Sequence, residues 1–259
     1  EFRLRGFIKA ELFTDEQARL TERLGTHLDS KTPSLGVAGS TIALDPEQVN
    51  VLRGVYAQLK AKQKSMYIEA PTGFGKTVVI LKLLEALTRD GKPPRIMIAV
   101  PDIDALETWR NAIEELAPIL SKDGKNPFEH IGYYYEGQKD TDKAITIATM
   151  TSMVLTNQNK VFGNDDFDIT IIDEGHSALS DLRVSVLAES GAVRIYLSAT
   201  PAYTHAKSLD NVAVRAYRCS PEYAEQLKLV SKYQNIIVAQ PDIVLDESVL
   251  NQSGDINLA

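Results

Sequence analysis

A mostly parallel β-sheet with helices on both faces is the α/β fold that this sequence predicts, and three observations carry the prediction. Short apolar runs alternate with helical-period segments through the middle of the chain, the pattern of parallel strands joined by crossover helices. Several of these runs end in segments rich in Gly, Asp or Ser, where an open α/β sheet holds its ligand. The chain has 259 residues, 44% hydrophobic and 24% charged, enough for the full core of one large domain, and no run approaches the ~18 apolar residues of a membrane span.

Residues 14–28, "TDEQARLTERLGTHL", predict a short helix, with Thr14 and Gln17 as a capping box and Leu20, Leu24 and Leu28 on one stripe. This reads as an N-terminal accessory helix. With the turn-rich loop "DSKTPSLGVAGST" that follows, it accounts for residues 1–40. Residues 46–60 predict a second amphipathic helix, capped by Asp45 with Pro46 at its first position and Val51, Leu52, Val55 and Leu59 on the buried face.

"SMYIEA" is a strand running into a glycine-rich loop, "TVVILKLLEALTRDG" a helix stopped by Gly91, and "RIMIAV" a strand. "DALETWRNAIEEL" is a helix expected to be capped by Asp104 with Glu107 at its third position. The strands "IGYYY", "AITIAT", "DITIID" and "VRIYLSAT" follow, then the helix "PEYAEQLKLV" and a closing strand "YQNIIVAQ". The main domain is therefore expected over 41–240, with 241–259 a tail or the start of a linker.

A net charge of −7 and a pI near 5.2 argue against a broad basic footprint for nucleic acid, so any such contact must be local or shared with other parts. The single cysteine, Cys219, can form no intrachain disulfide or multi-thiolate metal site; it reads as a small buried apolar residue in a reducing compartment, and the cytoplasm is the expected location. The chain opens "EFRLRG", without a methionine or anything resembling a secretory signal, as an expression junction or a cut inside a longer protein would.

Three segments carry chemistry. In "EAPTGFGKT", Ala70 and Gly75-Lys76-Thr77 fit a phosphate-holding loop with Ala in the first glycine position, and Gly73 and Gly75 let successive N–H groups turn toward an anion. "IIDEGH" ends a strand 97 residues after Lys76; there Asp173 can hold Mg²⁺ opposite Thr77 while Glu174 deprotonates an attacking water. "LSATP" ends another strand, with Ser198 lying 25 residues after Asp173, where small hydroxyls can hydrogen-bond the acidic segment.

In order and spacing, "APTGFGKT", "DEGH" and "SAT" resemble the first RecA-like motor domain of superfamily two helicases, of the DExH type. "VPDIDALETW" and "ITIATMTS" look like that family's motifs Ia and Ib, and the layout is most similar to the UvrB-like and type III restriction-enzyme-like group over roughly 41–240.

The resemblance implies an ATP-binding and ATP-hydrolysing motor of a DNA or RNA helicase or translocase, with ATP and Mg²⁺ as cofactors. It implies a nucleotide cradle of Thr72, Gly73, Phe74, Gly75, Lys76 and Thr77, and Mg²⁺ held by Thr77 and Asp173. Catalysis falls to Lys76, Asp173 and Glu174, coupling to His176, Ser198 and Thr200, and a nucleic-acid phosphate contact to Thr149. Gln48 matches the glutamine with which the family reads adenine; it equally fits the third position of a capping box with Asp45.

The family completes its site with arginines from a second motor domain in a Q-x-x-G-R-x-x-R pattern. None follows Thr200, and Arg215 and Arg218 in "VRAYRC" do not match it, so the chain is expected to lack that domain and to unwind nothing alone. Two other readings stand beside this one. A nucleotide-switched protein-binding module would keep the fold without the unwinding, whereas a small-molecule kinase leaves "SAT" unexplained. Tyr133, Tyr134 and Tyr135 could stack bases, but strand alternation favours core packing, as it does for Trp109 on its helix.

Overall fold

The computed structural model of the chain describes residues 15–29, 34–35, 42–88, 92–120, 127–153, 166–179, 192–202 and 208–231. The predicted capping residue Thr14, the closing strand over 233–240 and the tail over 241–259 lie outside them.

Helix α1 (Asp15–Asp29) buries Leu20 and Leu24 completely, and Leu28 packs beside them. Its leucines enter the main core, because α1 packs on both α2 and α3. Two short strands, β1 (Ser34–Leu35) and β2 (Ile42–Ala43), pair antiparallel. Helix α2 (Pro46–Lys60) has the expected Asp45 cap and buries Val49, Val51, Leu52, Val55 and Leu59.

Among the described residues the main sheet has eight strands in the order β10-β3-β9-β8-β4-β7-β5-β6. They are β3 (Ser65–Glu69), β4 (Ile96–Val100), β5 (Ile131–Tyr135), β6 (Gln138–Lys139), β7 (Ile145–Thr149), β8 (Ile169–Ile172), β9 (Val193–Ser198) and β10 (Val214–Arg218). Every pairing is parallel except β5 with β6. Strands β4, β7, β8 and β9 are buried along their whole length, as strands covered on both faces must be.

Among the described residues four strands escape the sequence patterns, and two of them are β1, inside the segment expected to be a loop, and β2, just beyond it. Strand β6 is a two-residue hairpin return after Tyr135, and β10, formed by "VRAYR", is a half-exposed edge strand beside β3.

Right-handed crossovers explain the two layers. The chain moves one way along the sheet from β3 to β4 to β5, and α3 (Lys76–Leu87) and α4 (Ile103–Leu120) join α1 and α2 in one core on that side. From β7 through β8 and β9 to β10 it moves the other way, and Met150, Ala178 and Leu209 from those connections pack in a second core with Tyr67, Ala99 and Tyr196.

Some helix ends differ from expectation. Helix α3 stops at Leu87 rather than at Gly91, because Thr88 turns extended, its hydroxyl donates to the Leu84 carbonyl, and the Arg23 guanidinium donates to the Leu87 carbonyl. Helix α4 is capped by Asp102 rather than Asp104: the Asp102 carboxylate accepts from Ala105 N–H at 2.9 Å, which places Asp104 inside the first turn. Helix α5 (Pro221–Gln226) stops short of the expected Val230, because Lys228 takes a positive φ of 58°.

Candidate functional site

Because β3, β9, β8, β4 and β7 run parallel, their carboxyl ends line one edge of the sheet, and each predicted segment begins there. Glu69 pairs in register with Ser198, and Ala70 N–H donates to the Ser198 carbonyl at 3.0 Å, which ties the glycine-rich loop to "SAT". Asp173 N–H donates to the Ala99 carbonyl at 2.8 Å and holds "DEGH" beside the end of β4. Connections after β3 and β9 leave toward opposite faces, so the loop sits at the switch point where such sheets open a crevice.

The loop has the shape its glycines predict. Gly73 and Gly75 take φ of 84° and 87°, and Gly75 is the left-handed residue from which α3 starts. Thr72 and Gly73 are exposed, Lys76 and Thr77 half-buried, and Phe74 is buried with its ring 5.9 Å from that of Tyr217. Lys76 folds back under the loop: its Nζ donates to the Ala70 and Pro71 carbonyls at 2.9 and 3.1 Å. Burial lowers its pKa from the usual 10.5, a shift that the charges of Glu174 and Asp173 oppose.

Gln48 does more than either sequence reading alone requires. Its Oε1 accepts from Asp45 N–H at 3.1 Å, closing the capping box, while its Nε2 donates to the Phe74 carbonyl at 2.9 Å. The helix start of α2 and the loop are therefore braced through one amide. Glu47 beside it accepts from the Tyr217 hydroxyl at 2.5 Å, so β10 joins the same brace.

In the acidic segment, Glu174 takes a positive φ of 46°, and its N–H donates to Asp173 Oδ1 at 3.0 Å. Trp109 Nε1 donates to Asp173 Oδ2 at 2.8 Å. Each carboxylate oxygen spends one lone pair this way and keeps another for a cation. Among the described residues no group of three or more His, Cys, Asp or Glu could hold a metal ion. Such a donor set suits Mg²⁺, which binds through one or two protein oxygens, phosphates and water.

His176 Nδ1 lies 3.0 Å from Ser198 Oγ and 3.3 Å from Glu174 Oε2. Ser198 is fully buried and its Oγ accepts from Thr200 N–H at 3.1 Å, while Thr200 itself is exposed. The structure thus brings the predicted coupling residues together.

Thr149 is placed less directly than the sequence implies. It is nearly buried, its hydroxyl donates to Ser152 Oγ at 2.9 Å, and the more accessible hydroxyl beside it is Thr151. Together they line a groove of about 700 Å³ with Ile103, Tyr135, Lys139, Asp102, Asp104 and Glu136. Tyr134 is buried, the Arg110 guanidinium lies 4.2 Å from the Tyr133 ring centre and 5.9 Å from that of Tyr135, and Tyr135 stays half-exposed at the groove. Arg215 and Arg218 pair with Glu69 at 3.3 and 3.2 Å.

Sequence reasoning missed Trp109, Glu47 and Tyr217 as members of this site. Their side chains arrive from α4, the start of α2 and the edge strand, and no local pattern announces those meetings.

Known proteins match this arrangement. The family model described as type III restriction enzyme, res subunit, matches residues 41–203. "Putative helicase 22" of Sulfolobus islandicus filamentous virus (isolate Iceland/Hveragerdi) is 30% identical over 148 residues, 55% of this chain and 25% of that protein. "Putative DNA 3'-5' helicase Rad25" of Haloarcula marismortui is 26% identical over 140 residues, 54% of this chain and 20% of that protein. The chain thus matches a quarter or less of the length of these relatives.

Among solved structures, a nuclease-deletion mutant of the Type ISP restriction-modification enzyme LlaGI, in complex with a DNA substrate mimic, superposes with a TM-score of 0.54 at 18% identity. The match covers 72% of this chain and 20% of that one, and it shows the fold.

Proposed function

The chain belongs to the family of the type III restriction enzyme res subunit, and on that premise we propose that it is the first motor domain of an ATP-driven DNA or RNA helicase or translocase. The observation that carries the reading is the meeting at one sheet edge of a left-handed glycine loop, a half-buried lysine, a hydrogen-bonded acidic pair and a buried serine.

The loop N–H groups and Lys76 would take the phosphates of ATP, with Thr72, Gly73, Phe74 and Gly75 as the cradle and Gln48 directing its spare amide hydrogen toward adenine. Thr77 and Asp173 would hold Mg²⁺, which offsets charge on the phosphate oxygens when bound. Glu174 acts as the general base for water. His176 passes the state of Glu174 to Ser198 and Thr200, because Nδ1 is within reach of both the carboxylate and the hydroxyl.

Nucleic acid is the proposed partner of the groove at Thr149, Thr151 and Ser152, where hydroxyls and the start of a helix suit a phosphate backbone without net positive charge. A second motor domain is the proposed source of arginines for the γ-phosphate. No helix among the described residues is long and apolar enough to cross a membrane, and the buried lone cysteine fits a cytoplasmic protein. One observation favours the alternative of a nucleotide-switched protein-binding module: Asp102, Asp104 and Glu136 outnumber Lys139 in the groove.

Paired binding and turnover measurements on Glu174→Gln test the proposal. This variant keeps the shape and loses the base, so Mg²⁺–ATP should bind as in the parent while hydrolysis drops about 10²–10⁴-fold. Equal turnover would remove Glu174 from the mechanism.

A further inference from the structure

Trp109 is 1% exposed and sits among the largest fully buried side chains. Packing does not account for the direction of its indole N–H, which donates to Asp173 Oδ2 at 2.8 Å across 64 residues of sequence. We propose that Trp109 is a positioning residue for Asp173, fixing the carboxylate in the orientation from which it holds the divalent cation. This rests on the nucleotide reading above.

Among the described residues, the hydrogen bonds to this carboxylate come from Trp109 Nε1 on one oxygen and Glu174 N–H on the other. The second donor is main chain next door and follows wherever the segment goes. The indole is different, because its ring is fixed in the main buried core. Tryptophan offers a donor and no acceptor, so it orients the oxygen without competing for the cation, and the remaining lone pairs stay directed away from the ring. A hydrogen bond from behind fixes the orientation of a ligating carboxylate, and losing such a partner typically costs about 10–100-fold in metal affinity or activity. Trp109 also ties the cation site to α4, whose first turn, at Asp102, Ile103 and Asp104, lines the groove.

The chain contains one tryptophan, so its emission reports on this contact without labelling. With ADP bound in EDTA, adding Mg²⁺ to the parent should change the emission saturably, and Asp173→Asn should abolish the change. In Trp109→Phe, followed by calorimetry, the half-saturating Mg²⁺ concentration should rise about 10–100-fold. Affinity for ADP in EDTA should stay within about twofold. A general loss of packing would weaken both.

An unchanged Mg²⁺ dependence in Trp109→Phe, with nucleotide still bound, overturns the positioning role and leaves the nucleotide reading intact. Failure of the parent to bind nucleotide sinks both. Should Trp109→Phe not fold, the parent emission decides: a flat trace, or a change that persists in Asp173→Asn, overturns the proposal.

Discussion

His176 Nδ1 lies 3.0 Å from Ser198 Oγ, joining the segment after β8 to the end of β9. The same nitrogen is 3.3 Å from Glu174 Oε2, so a proton on Nδ1 can be shared by the carboxylate and the hydroxyl oxygen. A ring that leaves either partner changes the other contact. Ser198 and Glu174 are therefore joined through one imidazole nitrogen.

Ser198→Ala should separate binding from turnover. The serine is fully buried and its Oγ also accepts from Thr200 N–H, so its loss frees "SAT" from the acidic segment and costs about 1–3 kcal/mol of stability. Mg²⁺–ATP affinity should hold while hydrolysis falls by up to about 10²-fold through misplacement of Glu174. Parent-like turnover in a steady-state assay would show that the contact is structural only.

Gly75→Ala should abolish the cradle. The residue has φ of 87°, and an added Cβ would come within 2.6 Å of Gln48 Nε2, the atom that braces the loop through Phe74. Both effects act against the native loop, so nucleotide affinity should fall at least tenfold, or about 1.4 kcal/mol. Calorimetry reads this directly, and an affinity equal to the parent's would mean that the brace is dispensable.

Gly54→Ala tests the packing of α2 on the edge strand. Helix propensity favours alanine by about 1 kcal/mol in the middle of α2. Against that, the new Cβ would lie 2.2 Å from the Ala216 carbonyl oxygen, a backbone atom of β10 at the register shift between Arg215 and Tyr217. Overpacking costs about 1–3 kcal/mol or more, so the variant should melt below the parent. A raised melting temperature would contradict the α2–β10 contact.

Nucleotide affinity should weaken as pH rises. Burial lowers the Lys76 pKa below 10.5, so in the free protein the charged lysine costs stability at neutral pH, and that cost disappears as pH rises through the lowered folded value toward 10.5. Phosphate oxygens favour the charged form. Binding should therefore take up a proton in that alkaline window and lose strength across it, seen as buffer-dependent heats in calorimetry. The same pH profile in Lys76→Ala would assign the effect to another group.

The sheet and much of the site were legible because both rest on local pattern. The apolar runs of β4, β7, β8 and β9 are continuous, and the glycine loop, the acidic pair and "SAT" follow β3, β8 and β9 directly. Strand β10 was not legible: "VRAYR" is short, charged and half-exposed, and its pairing with β3 is set by tertiary contact. Asp102 and Asp104 both precede an apolar stripe, and only the backbone shows which of them caps α4. Trp109 passed for core because its periodicity is that of a core residue; the hydrogen bond to Asp173 joins α4 to the segment after β8, far away in sequence.

Calorimetric titration of Mg²⁺–ATP into the parent and into Lys76→Ala tests the central claim most directly. Lys76 is the flexible cation held beneath the loop by the Ala70 and Pro71 carbonyls, placed to turn onto phosphate. The account predicts binding in the parent and the loss of most of it in the variant, with the fold retained. Equal affinity in the two proteins would contradict the assignment of this edge of the sheet as a nucleotide site.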